Sequence, residues 1–271
     1  RYDPDKKVPM LHKGLFRRLA ESAAGPSQDP ASPQPLGPGK PYVLVIDEIN
    51  RGNVSRIFGE LITLLEPDKR RGASSELSVR LPYSGRPFTV PRNLYVVGTM
   101  NSADRSIALV DVALRRRFDF EEMMPDAKVI REVLHEKMEQ GDSELGPQQV
   151  DLVCDVFERL NLLVSALLDR DHQIGHSYFL EVDSTESLCR TLYRKVFPLL
   201  QEYFYNDHEQ LRRLLGGYHE GKKKGFVRLR AGNVVDADGG AVSKDLLPWE
   251  LHRYEPGEIE EVLRHTFLPD G

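Results

Sequence analysis

Two adjacent carboxylates, Asp47 and Glu48, end the apolar run Tyr42-Val43-Leu44-Val45-Ile46. Such an unbroken, largely β-branched run predicts a strand buried on both faces, with the acids at its C-terminal tip. An Asp at that tip offers the hard oxygen that a hard cation such as Mg²⁺ prefers. A core strand running into a turn with two solvated acids is the competing reading. A second apolar run, Leu94 to Met100, ends in Asn101-Ser102-Ala103-Asp104-Arg105-Ser106. The Asn101 amide can accept from and donate to one water, so it can orient a nucleophile without changing charge. Two buried strands that both end in polar residues predict neighbours aimed at one crevice. Arg115-Arg116-Arg117 close an apolar-periodic stretch that starts at Ile107. The helix dipole accounts for one cation at a helix C-terminus; three in a row point to a surface reaching for phosphate or a partner.

The elements that must position these residues follow from periodicity. Leu15, Phe16, Leu19 and Ala23 predict a short amphipathic helix, and Val54 to Leu65 predict another directly after the first strand. Strand then helix is half of a βαβ unit, whose crevice above the strand ends is where α/β proteins bind ligands. Residues 25–40 are rich in Pro and Gly and predict a disordered surface loop. Leu77 to Leu81 and Arg86 to Val90 flank Pro82-Tyr83-Ser84-Gly85, which predicts a cationic hairpin. A short strand is expected at Phe118-Asp119-Phe120. From Pro125 the pattern turns helical, over Val129 to Met138, Val150 to Leu168, Leu188 to Phe204 and Glu209 to Leu215. His176 lies in a polar, aromatic loop between two of these segments, where a hydrogen-bonded structural histidine is the plain alternative to a functional one. The remaining tail predicts a last strand or hairpin and a helix, Ile259 to Phe267.

Composition bounds the function classes. The 271 residues are 40% hydrophobic and 29% charged, with a formal charge of −5, which argues against a generally cationic nucleic-acid surface. No apolar run approaches the roughly 20 residues that span a bilayer, and the polar start Arg-Tyr-Asp-Pro-Asp-Lys-Lys carries no signal-peptide pattern. A cytoplasmic protein without membrane association is expected. Cys154 and Cys189 sit in helical apolar patterns and read as buried thiols in a reducing compartment; no structural metal is expected.

Four stretches together resemble one family. Val-Ile-Asp-Glu-Ile-Asn-Arg at Val45 to Arg51, Phe-Gly-Glu-Leu at Phe58 to Leu61, Gly-Thr-Met-Asn-Ser-Ala-Asp-Arg-Ser at Gly98 to Ser106 and Ala-Leu-Arg-Arg-Arg-Phe at Ala113 to Phe118 are similar to the AAA+ domain of McrB-type proteins. Those are the GTP-hydrolysing motor subunits of modification-dependent restriction systems. Met-Asn-x-x-Asp-Arg is the most specific element, and Ile174 to Phe179 looks like the family's lid region. The resemblance implies an α/β fold: a partial AAA+ P-loop NTPase core over residues 1–124 and a mainly helical lid with a C-terminal extension over residues 125–271. It implies that Asp47 assists Mg²⁺, Glu48 activates the attacking water and Asn101 is the sensor amide. His176 would stand with the nucleotide-binding residues. Asn50, Arg51, Asp104, Arg105 and Arg115 would belong to interface and signature positions, and Arg116 or Arg117 would act in trans on a neighbour's nucleotide. The implied cofactors are Mg²⁺ with GTP, or else ATP. The implied partners are copies of the chain in a ring, commonly a hexamer, a McrC-like nuclease subunit, and DNA through other domains or that subunit.

One departure stands beside the resemblance. A P-loop needs Gly-x-x-x-x-Gly-Lys-Ser/Thr, and the Gly-Lys pairs nearest to it, Gly39-Lys40 and Gly221-Lys222, are followed by Pro41 and Lys223 where the hydroxyl is required. In the family the P-loop lies upstream of the first helix, so a truncated chain, inactive by itself, is expected. A non-catalytic AAA+ remnant serving as an interaction module and a MoxR-like ATP-dependent chaperone are the alternatives.

Overall fold

A computed structural model of the chain describes residues 2–3, 8–9, 13–25, 40–103, 112–205, 207–218, 223–229 and 249–268. The expected loop at 25–40 and the start of the helix expected from Ile107 fall almost wholly outside them. The chain divides into two compact units, residues 1–121 and 122–271.

In the first unit, β1 (Tyr2–Asp3) and β2 (Val8–Pro9) form a two-residue antiparallel ladder. Helix α1 (Leu15–Ala24) buries Ala20 and Ala23, and its Phe16 meets Phe58 edge-to-face with ring centroids 5.2 Å apart. The two apolar runs form β3 (Tyr42–Ile46) and β6 (Leu94–Gly98), paired in parallel with Tyr42 opposite Leu94 and Ile46 opposite Gly98. Both strand tips therefore end at the same edge, as the sequence predicts.

Burial on both faces does not hold. Val43, Val45, Tyr95 and Val97 are 52, 62, 55 and 50% exposed, and they share one face of the pair. The side chains of the opposite face pack with α1 and the residues after β3. A β-branched run reports the propensity to be a strand, whereas burial of its second face depends on what other elements cover it.

The helix expected over Val54 to Leu65 is split. Helix α2 (Val54–Phe58), capped by the Asn53 side chain, ends at Gly59 with φ +51°, and a 3₁₀ stretch continues over Gly59–Leu65. The left-handed region is open to glycine at little cost, so the chain changes helical type there while Phe58, Leu64 and Leu65 stay buried. The hairpin forms as predicted from β4 (Val79–Arg80) and β5 (Pro87–Phe88), closed by Gly85 at φ +62°. Beside it Arg70 is buried, its guanidinium donating to the carbonyls of Leu65 (2.8 Å), Pro91 (3.2 Å) and Leu94 (2.5 Å). This one cation ties the end of the 3₁₀ stretch to the start of β6.

Helix α3 (Val112–Arg115) is the described part of the helix expected after Ile107. Phe118-Asp119-Phe120 is not a strand: the Phe118 N–H donates to Leu114 O at 3.1 Å, and its ring packs on the cluster around Leu114. No strand among the described residues lies beside this segment to supply a ladder, so its backbone closes the preceding helical turn instead.

The second unit is helical. Helix α4 (Ala127–Gln140) packs on α5 (Pro147–Leu167), and α8 (His208–Leu215) packs on α5 as well. The segment expected as one helix from Leu188 runs as α6 (Thr185–Thr191), a π turn over Leu192–Val196 and α7 (Phe197–Tyr203). Pro198, which has no N–H to give, sits just past the π turn and accounts for the widened ladder. The tail supplies β7 (Val227–Leu229), paired antiparallel with β8 (Trp249–Leu251), and α9 (Pro256–Phe267), which packs on α5 and α6. Cys154 and Cys189 are free and buried in this core.

Candidate functional site

The site is built where β3 and β6 end. Gly98 closes β6, and a Cβ there would fall 2.9 Å from Ile49 Cδ1. Its missing side chain lets Ile49 fold across the tip of the neighbouring strand. The turn carrying Asp47 and Glu48 is thereby laid against the segment that leads to Asn101. Glu48 takes φ +51° and ψ +50°, the only left-handed non-glycine residue among those described. That conformation costs roughly 1–2 kcal/mol for an L-residue and persists only where its surroundings over-determine it.

Those surroundings are supplied by Thr99. The Glu48 N–H donates to Thr99 Oγ1 at 2.9 Å, and the Thr99 hydroxyl donates to Asp47 Oδ1. The Glu48 carboxylate is met by Arg51 Nε at 2.6 Å. Asn50 Nδ2 donates to the backbone carbonyl of Asn101 at 3.2 Å, bridging the two strand tips, while Asn50 Oδ1 is buried without a hydrogen-bond partner among the described residues. Asn101 Oδ1 accepts from the Ala103 N–H at 3.0 Å. That bond fixes the orientation of the amide, whose NH₂ is a donor and whose oxygen keeps a second lone pair.

Asp47, Glu48, Asn50, Arg51 and Asn101 are therefore brought together by the described contacts. Arg115, Arg116 and Arg117 follow Leu114, which is buried in the same apolar cluster that Ile46 and Ile49 pack against. Arg115 and Arg116 are exposed, whereas Arg117 Nε lies 2.9 Å from Glu66 Oε1 with its side chain 17% exposed. Asp104 and Arg105 lie outside the described residues. His176 belongs to the second unit, where its Nδ1 accepts from the Asp126 N–H at 3.3 Å. Its loop is clamped by buried Asn161, which donates to Ile174 O at 3.0 Å and accepts from Ile174 N–H at 2.6 Å. Sequence reasoning missed Thr99, although it lies inside the Gly-Thr-Met-Asn stretch; a threonine at a strand end is too common to signal a role.

The donor set fits a hard cation in one particular way. Among the described residues no group of three or more His, Cys, Asp or Glu could hold a metal ion. Mg²⁺ needs no such cage, since it is commonly held by one or two carboxylates with substrate phosphates and waters. Asp47, exposed and with Oδ2 unpartnered among the described residues, fits that arrangement.

Comparison with known proteins places each unit. Residues 6–118 match the model of the AAA domain (dynein-related subfamily), and residues 152–212 match that of the McrB alpha-helical lid domain. The two matches together fit an McrB-type AAA+ protein. It is 41% identical over 184 residues to the Type IV methyl-directed restriction enzyme EcoKMcrB subunit of Escherichia coli (strain K12), covering 63% of this chain and 38% of that protein. It is 32% identical over 91 residues to the Type II restriction enzyme BsuMI component YdiS of Bacillus subtilis (strain 168), covering 30% of this chain and 26% of that one. The chain thus spans well under half the length of either relative. Its fold is a mixed α/β AAA core joined to a helical lid, and among the described residues no helix is long and apolar enough to cross a membrane.

Proposed function

We propose that this chain carries the hydrolytic half of a nucleotide site in the ring motor of a McrBC-like restriction system that cleaves modified DNA with a nuclease partner. One observation carries the reading: Asp47-Glu48 and Asn101 stand at adjacent parallel strand tips and are tied together through Thr99 and Asn50. When bound, Mg²⁺ with GTP supplies the polarised phosphate, GTP being favoured over ATP by the family likeness. Asp47 would hold the cation through Oδ2, Glu48 would take the proton of the attacking water, and the Asn101 NH₂ would donate to the reacting oxygens. Arg116 acts across the subunit boundary, because Arg117 is already paired with Glu66. The family likeness assigns Asn50, Arg51, Asp104, Arg105 and Arg115 to interface and signature positions, and His176 to the nucleotide-binding residues. A hexamer of copies is the assembly that such a boundary serves.

Division into residues 1–124 as core and 125–271 as lid and extension follows the same reading. The phosphate grip needs the Gly-x-x-x-x-Gly-Lys-Ser/Thr motif, which these 271 residues do not contain. GTP and ATP turnover measured on the protein in its native assembly and on the 271-residue chain alone tests this. The assembly is expected to hydrolyse GTP in a Mg²⁺-dependent way, and the chain alone to bind and turn over neither. Tight Mg-GTP or Mg-ATP binding by the chain alone would place the phosphate grip elsewhere and contradict the division.

A further inference from the structure

Thr99 stands one residue past the end of β6, and its polar atoms are all committed to the turn that bears Asp47 and Glu48. Its N–H donates to Ile46 O at 3.0 Å and its carbonyl accepts from the Ile49 N–H at 2.9 Å. Its hydroxyl oxygen accepts from the Glu48 N–H at 2.9 Å, and its hydroxyl hydrogen goes to Asp47 Oδ1. The residue is exposed, so water was available to satisfy that hydroxyl and burial does not explain the pairing.

The two hydroxyl bonds do different things. Donation to Asp47 Oδ1 stops the carboxylate from rotating and leaves Oδ2 as the oxygen that can meet a cation. Acceptance from the Glu48 N–H holds the residue whose left-handed backbone would otherwise relax. A hydroxyl is required for both, since a methyl in its place can neither donate nor accept.

We propose that Thr99 is a positioning residue of the hydrolytic site, acting through Asp47 and Glu48 by fixing which Asp47 oxygen faces a divalent cation and by locking the Glu48 backbone. This rests on the assignment of Asp47 as a cation ligand made above. The test uses the 271-residue chain with Mn²⁺ alone as the probe, followed by paramagnetic broadening of assigned amide resonances, together with hydrogen exchange of the Glu48 amide. Thr99→Val is expected to weaken Mn²⁺ binding about tenfold, the usual scale for losing a group that orients a metal ligand, and to speed exchange of the Glu48 amide about tenfold. Thr99→Ser keeps the hydroxyl and is expected to restore both. Asp47→Asn is expected to abolish the site-specific broadening. If Asp47→Asn weakens Mn²⁺ but Thr99→Val does not, the proposal is overturned and the ligand assignment stands. If Asp47→Asn changes nothing, the ligand assignment falls and takes the proposal with it. Exchange protection of the β3–β6 ladder amides reports whether each variant is folded, and Thr99→Ala, which adds no atom, replaces Thr99→Val if that protection is lost.

Discussion

Arg51 Nε lies 2.6 Å from Glu48 Oε2, three residues apart on one turn. The side chains are 58% and 42% exposed, so water screens the pair and its contribution to stability is small, about 0.5 kcal/mol. Glu48→Gln is therefore expected to shift the unfolding free energy by less than about 1 kcal/mol, measured by urea denaturation. A larger loss would mean that Glu48 holds the fold together and that its replacement cannot isolate a chemical role.

Arg70 makes the opposite prediction. Burial lowers the pKa of its guanidinium, but the ordinary value lies so far above neutrality that the cation stays charged. Its hydrogen bonds satisfy the carbonyls of Leu65, Pro91 and Leu94. Arg70→Met fills much of the volume and removes the guanidinium donor from three carbonyls, of which Pro91 O keeps the Leu94 N–H at 3.4 Å, a cost of about 2–3 kcal/mol. Urea denaturation of the variant checks this, and a change under about 1 kcal/mol would contradict it.

Asn161 is the corresponding point in the helical unit. Asn161→Leu removes both hydrogen bonds to Ile174 and leaves that backbone N–H and carbonyl buried and unpaired, for a loss of about 2–4 kcal/mol. Amide exchange at Ile174 should rise along with the loss of stability. Unchanged protection there would show that Asn161 does not clamp the loop bearing His176.

The two thiols set a pH dependence. Burial pushes Cys154 and Cys189 each up to about 11. At pH 8 both are then almost wholly protonated, and reaction with a disulfide reagent is expected to be at least about 100-fold slower than for free cysteine. The native state keeps these protons to a higher pH than the unfolded chain does. Stability is therefore unaffected below the unfolded value and falls as pH rises from about 9 towards 11. Rapid labelling of the folded chain at pH 8 would contradict the burial of both sulfurs.

Much of the site was legible because strand tips are marked by a change from apolar to polar residues. Val43 to Ile46 followed by Asp47, and Tyr95 to Gly98 followed by Asn101, announced two strands and one edge, and the parallel pairing puts the tips side by side. What the pattern could not show was contact. The orientation of the Asn101 amide is set by the Ala103 N–H on its oxygen, a local contact that no spacing encodes. Thr99 gave no signal because its role depends on its partners, not on its type. The outward face of β3 and β6 misled for a related reason, since β-branched residues favour strands whether or not a second layer covers them. The break at Gly59 and the π turn before Pro198 came from single residues inside otherwise regular helical periods, where the hydrophobic spacing continues across the change of helix type.

Glu48 is proposed to accept the proton of the attacking water at a site shared with Asp47 and Asn101. Single-turnover GTP hydrolysis by the native assembly, measured for the wild type and for Glu48→Gln beside equilibrium nucleotide binding, tests it most directly. Glu48→Gln is expected to keep nucleotide affinity within about threefold and to slow hydrolysis by about 10²–10⁴, the range that a positioned general base contributes. Hydrolysis by Glu48→Gln at the wild-type rate would contradict it.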